Sequence, residues 1–154
     1  ESGPKVLEFN ARFGDPECQP AMMLLKSDVY GLLSLSLEEK LMSTKIEFNL
    51  GAACCVVLAS QGYPGVCRDG LILSGLEDAA TIDGTKIFHA GTKMDDGKII
   101  SSGGRILGVT SYSPKGIAEA RKSAYKAVSM ISVPGGFHYR KDIASKTLMN
   151  PFHS

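Results

Sequence analysis

No run of about 18 apolar residues occurs in this chain of 154 residues, so no membrane-spanning helix is expected. Charge of one sign is not in excess. The formal net charge of +1 offers no large field for nucleic acid or for an anionic membrane, and neither is expected as a partner. The four cysteines, Cys18, Cys54, Cys55 and Cys67, include no C-x-x-C pair, which argues against a zinc site. No basic leader with an apolar stretch behind it is visible, so the reading is a cytoplasmic protein with reduced, partly buried thiols. Internal repeats and low-complexity tracts are also lacking. What remains has globular composition, with enough length for one domain with a real core, or for one small domain and a piece of another. The chain opens at Glu1 rather than methionine and enters a strand almost at once, as an interior fragment would.

The stretch that carries chemistry runs from Val6 to Glu17. Residues 5–10 read as a short strand, in which side chains at i and i+2 share a face. Glu8 and Asn10 then project oxygen atoms side by side, while Leu7 and Phe9 turn into a core. Two hard oxygen ligands on one strand, completed by waters and phosphates, suit magnesium. A lone Glu-x-Asn is more often a plain polar face. Asp15 reads as an N-cap and Pro16 as the first helical residue, leaving free N–H groups beside Arg12.

Further along, residues 16–26 read as a helix, with Met22, Met23, Leu24 and Leu25 as core filler and Pro20 kinking it or delaying its start. Ser27 and Asp28 offer a second cap, followed at helical period by Val29, Leu32, Leu33, Leu37 and Leu41. Ala52 to Ser60 suits a buried strand, and Gly62-Tyr63-Pro64-Gly65 a turn. Short strands are expected near 71–74 and 85–89. Asp95-Asp96-Gly97 should turn a hairpin between residues around 86–94 and 98–102. After a turn at Ser102-Gly103-Gly104 comes a strand over 106–111. Ser113-Pro114 then caps and starts a helix with Ile117, Ala120, Ala124, Val128 and Ile131 on one face. Pro134-Gly135-Gly136 ends it, and residues 137–141 can form a last strand.

The unbroken run Glu8-Phe9-Asn10-Ala11-Arg12-Phe13-Gly14-Asp15-Pro16-Glu17, with Gln19 beyond it, resembles the last catalytic strand of the glycinamide ribonucleotide synthetase family, within the ATP-grasp superfamily. Gln61-Gly62-Tyr63-Pro64-Gly65, Phe88-His89-Ala90-Gly91-Thr92, Gly103-Gly104-Arg105-Ile106-Leu107 and Tyr139-Arg140-Lys141-Asp142-Ile143 look like landmarks of the same family, in the same order. The resemblance implies an α+β chain. Residues 1–42 would be the last strand and helices of an ATP-grasp domain. Residues 43–154 would be a small β-rich C-terminal domain, barrel-sandwich-like, with one packed helix. The reaction it implies joins phosphoribosylamine and glycine to glycinamide ribonucleotide through a glycyl phosphate, with ATP as co-substrate and magnesium (or manganese) as cofactor. The amino-terminal part of such an enzyme would be the missing partner, and the fragment alone would be inactive. The chain departs from the family pattern at Ala144-Ser145-Lys146 and in a shortened region at 42–50. The alternatives are another ATP-grasp enzyme of carboxylase or formyltransferase type, and a catalytically inert β-rich interaction module.

Under that resemblance Glu8 and Asn10 are the metal ligands. Arg12 is either an oxyanion clamp or a structural arginine paired with Asp15 or Glu17. Gly14, Asp15, His89, Arg105 and Lys141 are candidate substrate contacts. Each has a plainer reading: Asp15 as a cap, His89 as a structural strand histidine, Arg105 as the residue after a glycine turn, and Lys141 as part of a surface charge cluster with Arg140 and Asp142.

Overall fold

A computed structural model describes residues 3–149. The elements run α1 (Cys18–Leu24), α2 (Val29–Leu37), a 3-10 turn (Leu41–Ser43), β1 (Ala52–Ser60), α3 (Leu76–Ala80), β2 (Thr85–His89), β3 (Thr92–Asp95), β4 (Lys98–Ser101), β5 (Arg105–Ser113), α4 (Ile117–Met130), β6 (Phe137–His138) and α5 (Ser145–Met149). The mixed α+β class holds. Four strands form an antiparallel sheet in the order β2-β5-β1-β6, and β3 and β4 form a separate two-stranded sheet.

The central strand β1 is a near-continuous apolar run because both of its faces are covered. Cys54, Val56 and Leu58 face a core shared with Ile106, Val109 and the alanine-rich stripe of α4, in which Ala120, Ala124, Ala127 and Val128 are buried. Small side chains on that stripe bring the helix close to the sheet. On the opposite face α1 packs against β1 and β5. Gly108, which pairs with Val57, lies beneath that helix: a Cβ there would be crowded by Cys55 Sγ at 3.3 Å and in ordinary contact with Gln19 Nε2 at 3.7 Å. Two helices therefore pack on the sheet, where the sequence suggested one. The adjacent Cys54 and Cys55 point to opposite faces, as a strand requires.

Several boundaries differ from expectation. Residues 3–10 form no strand, and Leu7 and Phe9 are 96% and 91% exposed rather than turned into a core. A strand needs a ladder partner, and among the described residues no sheet edge takes this one. The first helix begins at Cys18, not at residue 16. Asp15 is not its cap; that position is Glu17, whose side chain makes no capping bond. Pro20 falls in the first turn, where a missing N–H costs nothing. Asp28 does cap α2, accepting from Gly31 N at 2.6 Å. That helix stops at Leu37, and Leu41 lies in the 3-10 turn.

Residues 71–74 make only single bridges, Ile72 to Ile100 and Ser74 to Ser132, because they turn from one partner to another. The strand expected over 86–94 is broken at Ala90-Gly91: β2 stays with β5, and β3 leaves to pair with β4 around Asp96-Gly97. Ser113 remains in β5 opposite Ala52, so α4 starts only at Ile117, after Gly116. The last strand is limited to Phe137–His138, since residues 140–143 are drawn away toward α4. Helices α3 and α5 have no counterpart in the sequence reading.

Candidate active site

Glu8 and Asn10 lie side by side, with Asn10 Nδ2 donating to Glu8 Oε1 at 3.1 Å. Both are exposed. The two side chains meet without the strand that was expected to place them. A carboxylate and a carboxamide offer the oxygen chemistry that magnesium takes, but the atom Asn10 turns to Glu8 here is its amide nitrogen, a donor. Among the described residues no three His, Cys, Asp or Glu side chains gather into a metal-holding group.

Arg12 pairs with neither carboxylate that the sequence offered it. Its Nη1 donates to the carbonyl of Phe13 at 2.9 Å, and its side chain is exposed. Gly14 leads into the helix, its carbonyl accepting from Cys18 N at 2.9 Å.

Asp15 is instead the meeting point of two distant segments. Its Oδ2 lies 3.2 Å from Arg105 Nη1, and the same nitrogen donates to the Asp15 carbonyl at 3.0 Å. Its Oδ1 accepts from Gln19 Nε2 at 3.2 Å. Gln19 Oε1 is buried without a hydrogen-bond partner. Arg105 opens β5, and the glycines before it serve packing. Gly104 makes room for the Tyr63 ring, which would clash with any Cβ at 104, and its carbonyl accepts from Ser60 N at 2.7 Å. Pro16, Tyr63, Arg105, His138, Tyr139 and Arg140 line one groove of about 420 Å³ floored by Cys55, Val57 and Ala59. Landmarks far apart in the chain thus converge there.

His89 stands elsewhere, at the end of the edge strand β2. Its Nδ1 is 3.0 Å from Thr92 Oγ1 across the Ala90-Gly91 bend, and it lines a different hollow with Leu76, Glu77 and Phe88. Lys141 has an exposed side chain, while its carbonyl accepts from Arg121 Nη2 at 2.8 Å. Arg140 binds Asp142 through two nitrogens, at 2.9 Å and 2.6 Å. That bond holds the exposed Asp142 carboxyl below its usual range. The neighbours of Lys141 therefore form a surface ion pair.

Arg121 and Tyr125 went unnoticed in the sequence. Arg121 also donates to the Ile143 carbonyl at 2.7 Å, and the Tyr125 hydroxyl donates to the Arg140 carbonyl at 2.7 Å. Their i, i+4 spacing on α4, with the guanidinium 4.6 Å above the ring, was the available signal. Backbone carbonyls as partners leave no trace in sequence.

Cys55, on the groove floor, has its thiol pushed up to about 11 by burial. Below about pH 8.5 the folded and unfolded thiols both hold their proton. Between there and about 11 only the folded one does, so stability should fall as pH rises through that window. Urea denaturation at a series of alkaline pH values should show the fall in the wild type and a shallower one in Cys55→Ala. Equal slopes would refute it.

Residues 53–146 match the family described as Phosphoribosylglycinamide synthetase, C domain. The chain belongs to this family. A phosphoribosylamine–glycine ligase of Rhodopirellula baltica is 46% identical over 149 residues, covering 96% of this chain and 34% of the relative. A trifunctional purine biosynthetic protein adenosine-3 of Gallus gallus is 45% identical over 149 residues, covering 96% of this chain and 15% of the relative. The crystal structure of phosphoribosylamine–glycine ligase from Thermotoga maritima matches with a TM-score of 0.68 at 30% identity, over 90% of this chain and 33% of that one. The chain therefore spans about a third of the length of the ligase relatives it matches. No helix among the described residues is long and apolar enough to cross a membrane.

Proposed function

We propose that this chain is the C-terminal part of a cytoplasmic, ATP-dependent phosphoribosylamine–glycine ligase of purine biosynthesis. The observation that carries the proposal is the 46% identity to such a ligase along 96% of the chain. In this reading residues 1–42 complete an ATP-grasp domain, and residues 43–154 are the small domain beside it. Leu7, Phe9, Leu37 and Met42, 96%, 91%, 88% and 98% exposed, are apolar side chains a larger domain would cover, as are Leu50 and Val66, 89% and 96% exposed. The two-stranded sheet β3-β4 beside the main sheet supports a barrel-sandwich-like description of the small domain.

The glycine carboxylate is a poor electrophile. Transfer of a phosphoryl group from ATP makes an acyl phosphate, and the amine of phosphoribosylamine displaces phosphate from it. Such transfer depends on positioning and on charge neutralisation. Glu8 and Asn10 would hold magnesium (or manganese), which supplies Lewis-acid charge neutralisation at the ATP phosphates. One charged and one neutral ligand hold the cation without cancelling its charge. Arg12 would present its exposed guanidinium to a carboxylate or phosphate, a bidentate match. Gly14, His89 and Lys141 stay as candidate substrate contacts.

The test is ADP release with phosphoribosylamine, glycine and ATP together. The full-length protein should turn over in the ordinary range of about 1–10³ per second, while this chain alone should not. A full-length protein that forms no glycinamide ribonucleotide would refute the proposal.

A further inference from the structure

We infer that Arg105 is a positioning residue for the metal-bearing segment, acting through Asp15. The inference rests on the reading of Glu8 and Asn10 as metal ligands. Among the described residues, no hydrogen bond ties residues 3–13 to any later element; the bonds of Asn10 and Arg12 stay within the segment. The Gly14 carbonyl accepts from Cys18 N at the start of α1, and the first tether to the sheet is Asp15, five residues after Asn10, held by Arg105, 90 residues away in the sequence. The clasp has three points. Arg105 Nη1 grips both the carboxylate and the carbonyl of Asp15, and Gln19 Nε2 holds the remaining carboxylate oxygen from the first turn of α1. Helix α1 itself lies on β1 and β5. The position at which the segment bearing Glu8 and Asn10 meets the sheet is thus set by β5. This also gives a task to Asp15 and Gln19, which the proposed chemistry does not use.

The geometry separates this role from a substrate clamp. A clamp for a carboxylate or phosphate uses the two-pronged guanidinium fork, which lysine cannot supply. Here a single nitrogen makes both contacts, so a lysine ammonium can replace it.

The experiment uses the full-length protein with magnesium ion as the probe, comparing Arg105→Met, Asp15→Ala, their double variant and Arg105→Lys. Arg105→Met and Asp15→Ala should each lower kcat on the order of tenfold, as small misplacements of a catalytic group do, and raise the half-saturating magnesium concentration. The KM for glycine should stay unchanged. The double variant should be no worse than either single one, because both break the same clasp. Arg105→Lys should recover most of the loss.

Arg105→Met with normal kcat and a normal magnesium titration would overturn the inference. So would Arg105→Lys as poor as Arg105→Met, losses that multiply in the double variant, or an effect confined to a substrate KM. If Arg105→Met does not fold, Asp15→Ala and Arg105→Lys decide: a normal Asp15→Ala enzyme overturns the inference, and a loosened one with a near-normal Arg105→Lys upholds it. A Glu8→Gln enzyme with an unchanged magnesium titration overturns the metal reading itself, whereas Arg105 variants that alone behave as wild type overturn only this inference.

Discussion

Glu8→Gln in the full-length protein is expected to lose about 10²-fold in turnover, equivalent to about 3 kcal/mol of transition-state stabilisation, and to need far more magnesium. The substitution removes the only negative charge of the proposed ligand pair and changes little else. A glutamine carbonyl can still accept the bond from Asn10 Nδ2, now 3.1 Å from Glu8 Oε1, so the local geometry is kept. Glu8 is exposed and makes no ion pair among the described residues, so the melting temperature should not move. The effect should fall on kcat and on the magnesium titration together, which steady-state kinetics at several metal concentrations would read. Unchanged kinetics at every magnesium level would remove Glu8 from the metal site.

The largest loss of stability is expected from Leu58→Ala. Leu58 is fully buried in the middle of the sheet, opposite Leu107 on β5, in the core that α4 covers. Removing three buried carbons takes away their transfer energy and leaves a cavity, because a close-packed core collapses only in part. The expected cost is about 2–5 kcal/mol, or a drop in melting temperature of roughly 5–15 °C for a domain of this size. Val57→Ala, one residue away, should cost less, since Val57 is only half-buried at the groove floor. Urea unfolding of both variants checks the contrast. A loss under about 1 kcal/mol for Leu58→Ala would mean that the core is not centred on this strand.

Local pattern alone located the elements whose structure depends on near neighbours. The apolar run from Ala52 to Ser60 is β1 with its expected ends, the strand at 85–89 is β2, and the Asp96-Gly97 turn joins β3 to β4. The face made by Ala120, Ala124 and Val128 is the buried face of α4. In these cases the repeat of apolar side chains, or a turn dipeptide with few allowed conformations, carries the information within a few residues. The opening motif was legible as a run of residue types, but the strand expected to place Glu8 beside Asn10 is absent.

Only the tertiary structure decided what Asp15 does. Its position before a proline suggested a helix cap, a local role, but its carboxylate is taken by Arg105 from β5 and by Gln19. That choice depends on α1 lying against β1 and β5. It likewise decided that His89 and Arg105, both in motif-like runs, end in different places, because β2 is an edge strand and β5 is not. The physical reason is the same for Asp15 and Arg105. A charged side chain takes the partner that the folded chain brings within about 3 Å, and over 90 residues that partner is chosen by packing rather than by sequence spacing.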